Sequence, residues 1–140
     1  MWWPVFGVRQ FDDRTGVAMS AWRRKAIEKL PEYRPIIERS KCVMAFLDGI
    51  NCDFVQAHRD PIDELKIRRV YDFAWWAVGE SGNDDISSRV AIGFFEDLPL
   101  DKQVRELLPQ YMTRDQFLGM AEIFKYHLTS EEHSTLFNIF

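Results

Sequence analysis

From Ser20 to the C-terminus, apolar side chains return at every third or fourth position, and no stretch alternates convincingly between polar and apolar. That period belongs to the α-helix, in which residues three and four apart share a face, whereas a strand needs a period of two. The punctuation agrees. Ser20 is placed to cap a first helix that carries Trp22, Ala26 and Leu30 on one face and ends near Pro31. Pro35 suits the first turn of the next helix, and Ile36, Val43, Leu47, Ile50 and Phe54 then keep one stripe. The spacing predicts one long helix over 35–57, the spine of the fold. Gly49 inside it is unfavourable by about 1 kcal/mol relative to alanine, which points to a neighbour too close for a side chain. Asp60 is pushed out of the α region by Pro61, so "HRDP" ends that helix.

A third helix is expected over 62–79, with Glu64 and Arg68 paired one turn apart. "GESGND" follows as a loop, and Asp84 or Asp85 is expected to cap a fourth helix. In that helix Val90, Ala91, Phe94, Phe95 and Leu98 share one face, and Arg89, Gly93 and Glu96 line the other. Pro99 and Asp101 precede a short helix running through Leu107. Thr113 with Gln116, and Thr129 with Glu132, are capping-box patterns that open the last two helices. Only the first sixteen residues lack the period. There "FDDRTG" reads as a turn, and Trp2, Trp3, Val5 and Phe6 are expected to tuck an irregular arm onto the body. The chain is therefore expected to be all-α: one domain over 1–140, a bundle of about six helices.

A chain of 140 residues with 20 aromatic side chains can build a core without metal or disulfide staples. Cys42 and Cys52 fall on the long predicted helix, about 15 Å apart at 1.5 Å per residue, beyond disulfide reach. They are expected to be buried structural thiols in a reducing cytoplasm. Pro4, Gly7 and Arg9 interrupt the apolar start before a secretory segment forms, and no apolar run reaches membrane-spanning length.

The two adjacent tryptophans carry the functional question. Ile67, Val70, Tyr71, Ala74, Ala77 and Val78 lie within about 60° of one line on the helix, which marks the core face. Trp75 sits about 100° from that line and Trp76 about 160°, nearly opposite. Trp75 thus belongs at the boundary of the core. Trp76 is either packed in a helix covered on all sides or open to water beside the acidic loop. Arg69 is placed to reach Phe73 or Trp76 in a cation–π contact.

Charge is unevenly spread around a net of −4. Residues 22–41 hold seven basic groups against three acidic ones, and residues 80–106 hold seven acidic against three basic. Solvated helix faces explain such asymmetry in most proteins. Alternatively, the acidic region steers a basic partner. Trp76, Glu80, Asp84, Asp85, Arg89 and Glu96 form the candidate contact set, since tryptophan and arginine dominate binding hot spots.

The sequence holds no HExxH, CxxC, phosphate loop, dinucleotide fingerprint or nucleophile elbow. His58 with Asp60 and His127 with His133 are the metal-like groupings. Each has too few ligands, and structural or surface roles are expected for them. Asp12/Asp13 and Asp84/Asp85 fit turn and cap positions. No catalytic residue, metal or cofactor is implied, and the acidic balance disfavours nucleic acid.

Tyr71, Ala74 and Trp75 before the polar loop, then Ala91, Phe94, Phe95, Glu96 and Leu98 after it, make a pattern of aromatic-x-x-Ala-Trp followed by Ala-x-x-Phe-aromatic-Glu-x-Leu. This pattern resembles that of a family of short helical bacterial proteins, some of which look like immunity partners of polymorphic toxins. The resemblance implies a helical fold and a cytoplasmic protein that neutralises a cognate toxin domain by occluding its surface, a nuclease with a basic groove being a common target. It carries over no toxin-contacting residue. Two other readings stand beside it: a small enzyme or small-molecule binder with an interhelical pocket, and a nucleic-acid adaptor using residues 22–41.

Overall fold

The computed structural model describes residues 19–140, so the expected N-terminal arm, with Trp2, Trp3, Val5, Phe6, Asp12 and Asp13, lies outside the described residues. Within them the chain is all-α and contains no strand. Eight α-helices follow in order: α1 (Ala21–Lys29), α2 (Arg34–Arg39), α3 (Val43–Ala57), α4 (Glu64–Gly79), α5 (Asp84–Val90), α6 (Lys102–Tyr111), α7 (Arg114–Phe124) and α8 (Ser130–Asn138). A π turn over Ala91–Phe95 extends α5, and 3₁₀ turns occupy Pro31–Tyr33, Leu98–Leu100 and Lys125–His127. Among the described residues, no helix is long and apolar enough to cross a membrane.

Both expected capping boxes are present: the Thr113 and Thr129 hydroxyls accept from Gln116 N and Glu132 N, and the Gln116 and Glu132 side chains accept from the cap N–H groups. Ser20 occupies the N-cap of α1 without a side-chain cap bond; its hydroxyl accepts from Arg23 Nη1 at 3.1 Å. The close neighbour expected at Gly49 is Ile36: a Cβ there would lie 3.3 Å from Ile36 Cγ2, a tight contact.

The helix expected over 35–57 is broken. It divides into α2 and α3 at Ser40–Cys42, because the last carbonyls of α2 are taken by other donors. The Ser40 hydroxyl donates to Ile36 O at 2.6 Å, and Arg23 of α1 donates to both Ile37 O and Ser40 O. A guanidinium from another helix thereby terminates α2. Cys42 becomes the N-cap of α3, and Cys52 is exposed rather than buried, on the side of α3 away from Ile50 and Phe54.

Other boundaries shift for local reasons. The third helix begins at Glu64 rather than 62, since Asp63 caps it through Lys66 N. Asn83, not Asp84 or Asp85, caps α5 by accepting from Ile86 N at 3.1 Å. The two aspartates fill the first turn, where the helix dipole favours them. Beyond Leu107, α6 continues through Pro109 to Tyr111.

The apolar face expected for the fourth helix is buried at Val90, Phe94, Phe95 and Leu98, with Ala91 half-buried, and a π turn runs through it. Glu96 N donates to Ala91 O at 3.1 Å, a five-residue step that inserts one residue into the helical phase. Phe94 and Phe95 within it are both buried. Gly93 is half-buried, and a Cβ there would fall 1.7 Å from Met44 Cε, the far end of a flexible side chain.

α4 packs against α1, α3, α5 and α6 and is the true centre of the bundle. Its core face includes Phe73 as well as the expected residues, while Val78 is only half-buried. Phe73 meets Phe46 edge-on at 5.8 Å, and Tyr71 meets Phe54, Phe94 and Tyr111. Because Phe73 has 0% exposure, Phe73→Ala is expected to destabilise the fold by about 3–5 kcal/mol. Leu65→Ala, on a residue 68% exposed, should stay within about 0.5 kcal/mol of the parent. Urea unfolding of both variants checks this, and similar losses from the two would contradict the assigned core.

His58, expected as a structural histidine at a helix end, closes α3 and is buried. Its Nδ1 donates to Phe54 O at 2.8 Å, which leaves Nε2 bare and without a partner. Burial is the main cause that pushes its pKa below the ordinary 6.5; the Phe54 carbonyl and Asp101 oppose this and Arg59 assists it. The folded state therefore holds the neutral ring, while the unfolded chain takes up a proton near the ordinary value. Its contribution to stability is complete above that value and declines as pH falls below it. Between about pH 7.5 and about pH 5.5 the parent should lose more stability than His58→Gln. Parallel losses in denaturant titrations would remove His58 as the cause.

Candidate functional site

The end of α4 lies over α1, and an open groove of about 730 Å³ runs between them. Lys25 and Lys29 of α1 form one side, Trp75, Trp76 and Glu80 the other, and Gln116 of α7 reaches its edge. Trp76 is half-buried, between the packed and the water-facing alternatives. One face of its ring stacks on Phe73 at 6.0 Å, and Lys25 Nζ lies 5.6 Å from its centroid. Trp75 is boundary core as expected, half-buried with its ring 4.5 Å from Phe95. Arg69 makes neither of the ring contacts considered for it. It donates to Glu32 through both terminal nitrogens and to Lys29 O at 3.3 Å, because the turn after α1 brings that carboxylate within reach.

The expected contact residues separate into three places. Trp76 and Glu80 share the groove. Asp84, Asp85 and Arg89 are exposed on α5, where Arg89 Nε donates to both oxygens of Asp85 at 3.0 Å. Glu96 is turned elsewhere, against His127 at 2.9 Å. Of the three acids near the loop, Asp85 is thus compensated within its own helix, and Glu80 and Asp84 stand exposed at its two ends.

The basic run of α1 is largely engaged by the protein itself. Arg23 is held by backbone carbonyls, Arg24 donates to Met19 O, and Lys25 pairs with Glu28 at 3.2 Å. Lys25 nevertheless remains within reach of the Trp76 ring.

A second concavity, about 220 Å³, lies between α3 and the turn that follows the π segment. Asp48, Asn51, Asp97 and Asp101 bring polar groups to its otherwise apolar wall. Asp101 is fully engaged. Its Oδ1 accepts from Arg59 Nη1 and Val104 N, and its Oδ2 accepts from Arg59 Nη2 at 2.8 Å. Sequence reasoning missed this cleft, because its polar residues lie up to 53 positions apart (Asp48 to Asp101) and share no motif. Among the described residues, the buried side chains with polar atoms include Ser40, His58, Tyr71 and Tyr111, and none of these four lines either concavity.

Compared with protein-family models, with curated proteins and with solved structures, the chain shows no match.

The Arg59 guanidinium, ahead of the Val104 amide, holds the Asp101 carboxyl down to about 2 against an ordinary 3.8, with burial opposing. The contribution of this pair to stability is present above the ordinary value and is lost as pH falls from there through about 2. Asp101→Asn should therefore flatten the acid limb of a stability–pH curve below about pH 4. Superimposable limbs for parent and variant would show that the bridge is not coupled to folding.

Proposed function

We propose that this chain is a binding protein acting through its exterior, a cytoplasmic immunity protein that neutralises a bacterial toxin domain by covering its surface. Trp76 is the centre of the contact and Glu80 and Asp84 are its acidic flank. The observation that carries this reading is the groove between α1 and α4, where a half-buried tryptophan backed by Phe73 lies beside an exposed carboxylate. A rigid aromatic anchor with a polar rim is the composition of a binding hot spot. Glu80 and Asp84 extend that rim with negative charge suited to a basic toxin surface and to fast, salt-sensitive association.

The cleft lined by Asp48, Asn51, Asp97 and Asp101 favours a second reading, a small-molecule site. Asp101 there is committed to Arg59 and to the start of α6, which leaves fewer groups for a ligand.

The test uses the purified product of the gene adjacent to this one as the toxin candidate. Trp76→Ala should raise the dissociation constant about 30-fold or more, the effect of a hot-spot truncation of about 2 kcal/mol. Glu80→Lys should slow association mainly at low salt. Affinity and protection unchanged in both variants would remove the groove from consideration.

A further inference from the structure

We infer that Glu96, Asp97 and His127 form a binding site for one divalent transition-metal ion, with zinc the best fit. The 3₁₀ turn after α7 brings the His127 imidazole against two carboxylates that leave the π turn side by side. His127 Nε2 lies 2.9 Å from Glu96 Oε1 and 3.3 Å from Asp97 Oδ1, and one ligand atom from each of the three residues falls within 4.8 Å of the others.

Two features distinguish this cluster from an ordinary ion pair. One ring nitrogen can offer a single N–H, yet two carboxylates converge on it, so one of them lacks a proton to accept. Among the described residues, the ion pairs of Glu96 and Asp97 are both with His127. Even a protonated ring leaves the trio with a net negative charge. A divalent cation resolves both deficits, replacing the shared proton and balancing the charge of the two acids.

Two of the separations, 2.9 and 3.3 Å from the His127 nitrogen, are near the spacing such an ion needs, and the two carboxylates, within 4.8 Å, would close around it on binding. Zinc takes imidazole nitrogen and carboxylate oxygen at about 2.0–2.2 Å in a tetrahedral arrangement, which places neighbouring ligand atoms about 3.3 Å apart. Nitrogen and carboxylate donors together select zinc or a neighbouring transition metal over magnesium, which prefers oxygen donors and water. Three protein ligands leave a fourth position open, and the site can be reached from solvent, with the side chains of His127 37% and Asp97 61% exposed.

The π turn is the structural reason that both carboxylates meet the same ring. Without its inserted residue, Glu96 and the residues after it would rotate with the regular helical phase. The site shares Glu96 with the contact set first expected for a partner, but it lies outside the Trp76 groove and does not depend on it.

Isothermal titration of the full chain with zinc chloride tests the inference. The Cys42→Ser/Cys52→Ser background is used because both cysteines are free and Cys52 is exposed, so thiols could capture the ion. One equivalent of zinc should bind saturably, with magnesium far weaker. His127→Ala and Asp97→Asn should each weaken zinc binding at least about tenfold, the lower limit for losing even an outer-sphere partner. His127→Ala is at an exposed position, and circular dichroism of the variant confirms that it folds. No saturable uptake in the thiol-free background would overturn the site, as would parental affinity retained in both variants.

Discussion

The arrangement rests on aromatic packing around α4. Tyr71 and Phe73 leave this helix in different directions, so one element serves two sides of the core. On one side Phe73 meets Phe46, which stacks on Trp22 of α1 at 6.0 Å. On the other, Tyr71 meets Phe54 of α3, Phe94 of the π turn and Tyr111 of α6. Edge-to-face and offset pairs of this kind add about 0.5–1.5 kcal/mol each beyond the area they bury, and they define the orientation of the helices that carry them. The Trp76 groove depends on this packing, because Phe73 supports the inner face of the Trp76 ring.

The π turn links the core to the surface. Its consecutive Phe94 and Phe95 both enter the interior, where Phe95 meets Trp75 and Phe124. The same turn delivers Glu96 and Asp97 to His127. The end of the Met44 side chain of α3 occupies the space that a side chain at position 93 would take. Core filling and the presentation of surface carboxylates thus meet at a single backbone feature.

Much of the fold was legible from particular residues. Trp22, Ala26 and Leu30 of α1 are buried as their spacing requires, and Thr113/Gln116 and Thr129/Glu132 close their boxes. The candidate site was legible only in part. Trp76 and Glu80 do share a groove, but Lys25, Lys29 and Gln116 join them from 36 or more positions away, and Glu96 leaves for another cluster. His127 was weighed with His133, its neighbour in sequence, whereas its contacts are with acids about 30 positions earlier.

The amino-acid sequence by itself determined the helical class and most of the helix starts, because caps and face periodicity are interactions within one or two turns. Tertiary structure alone decided the break between α2 and α3, the exposure of Cys52, the partner of Arg69 and the meeting of Glu96, Asp97 and His127. Each of these depends on a group from a distant segment. Arg23 takes the carbonyls that would have carried a helix onward, and Glu32 takes the Arg69 guanidinium that was expected to cover a ring. Local hydrogen bonds are encoded where they form, but competition for them is settled only once packing brings the competitors together.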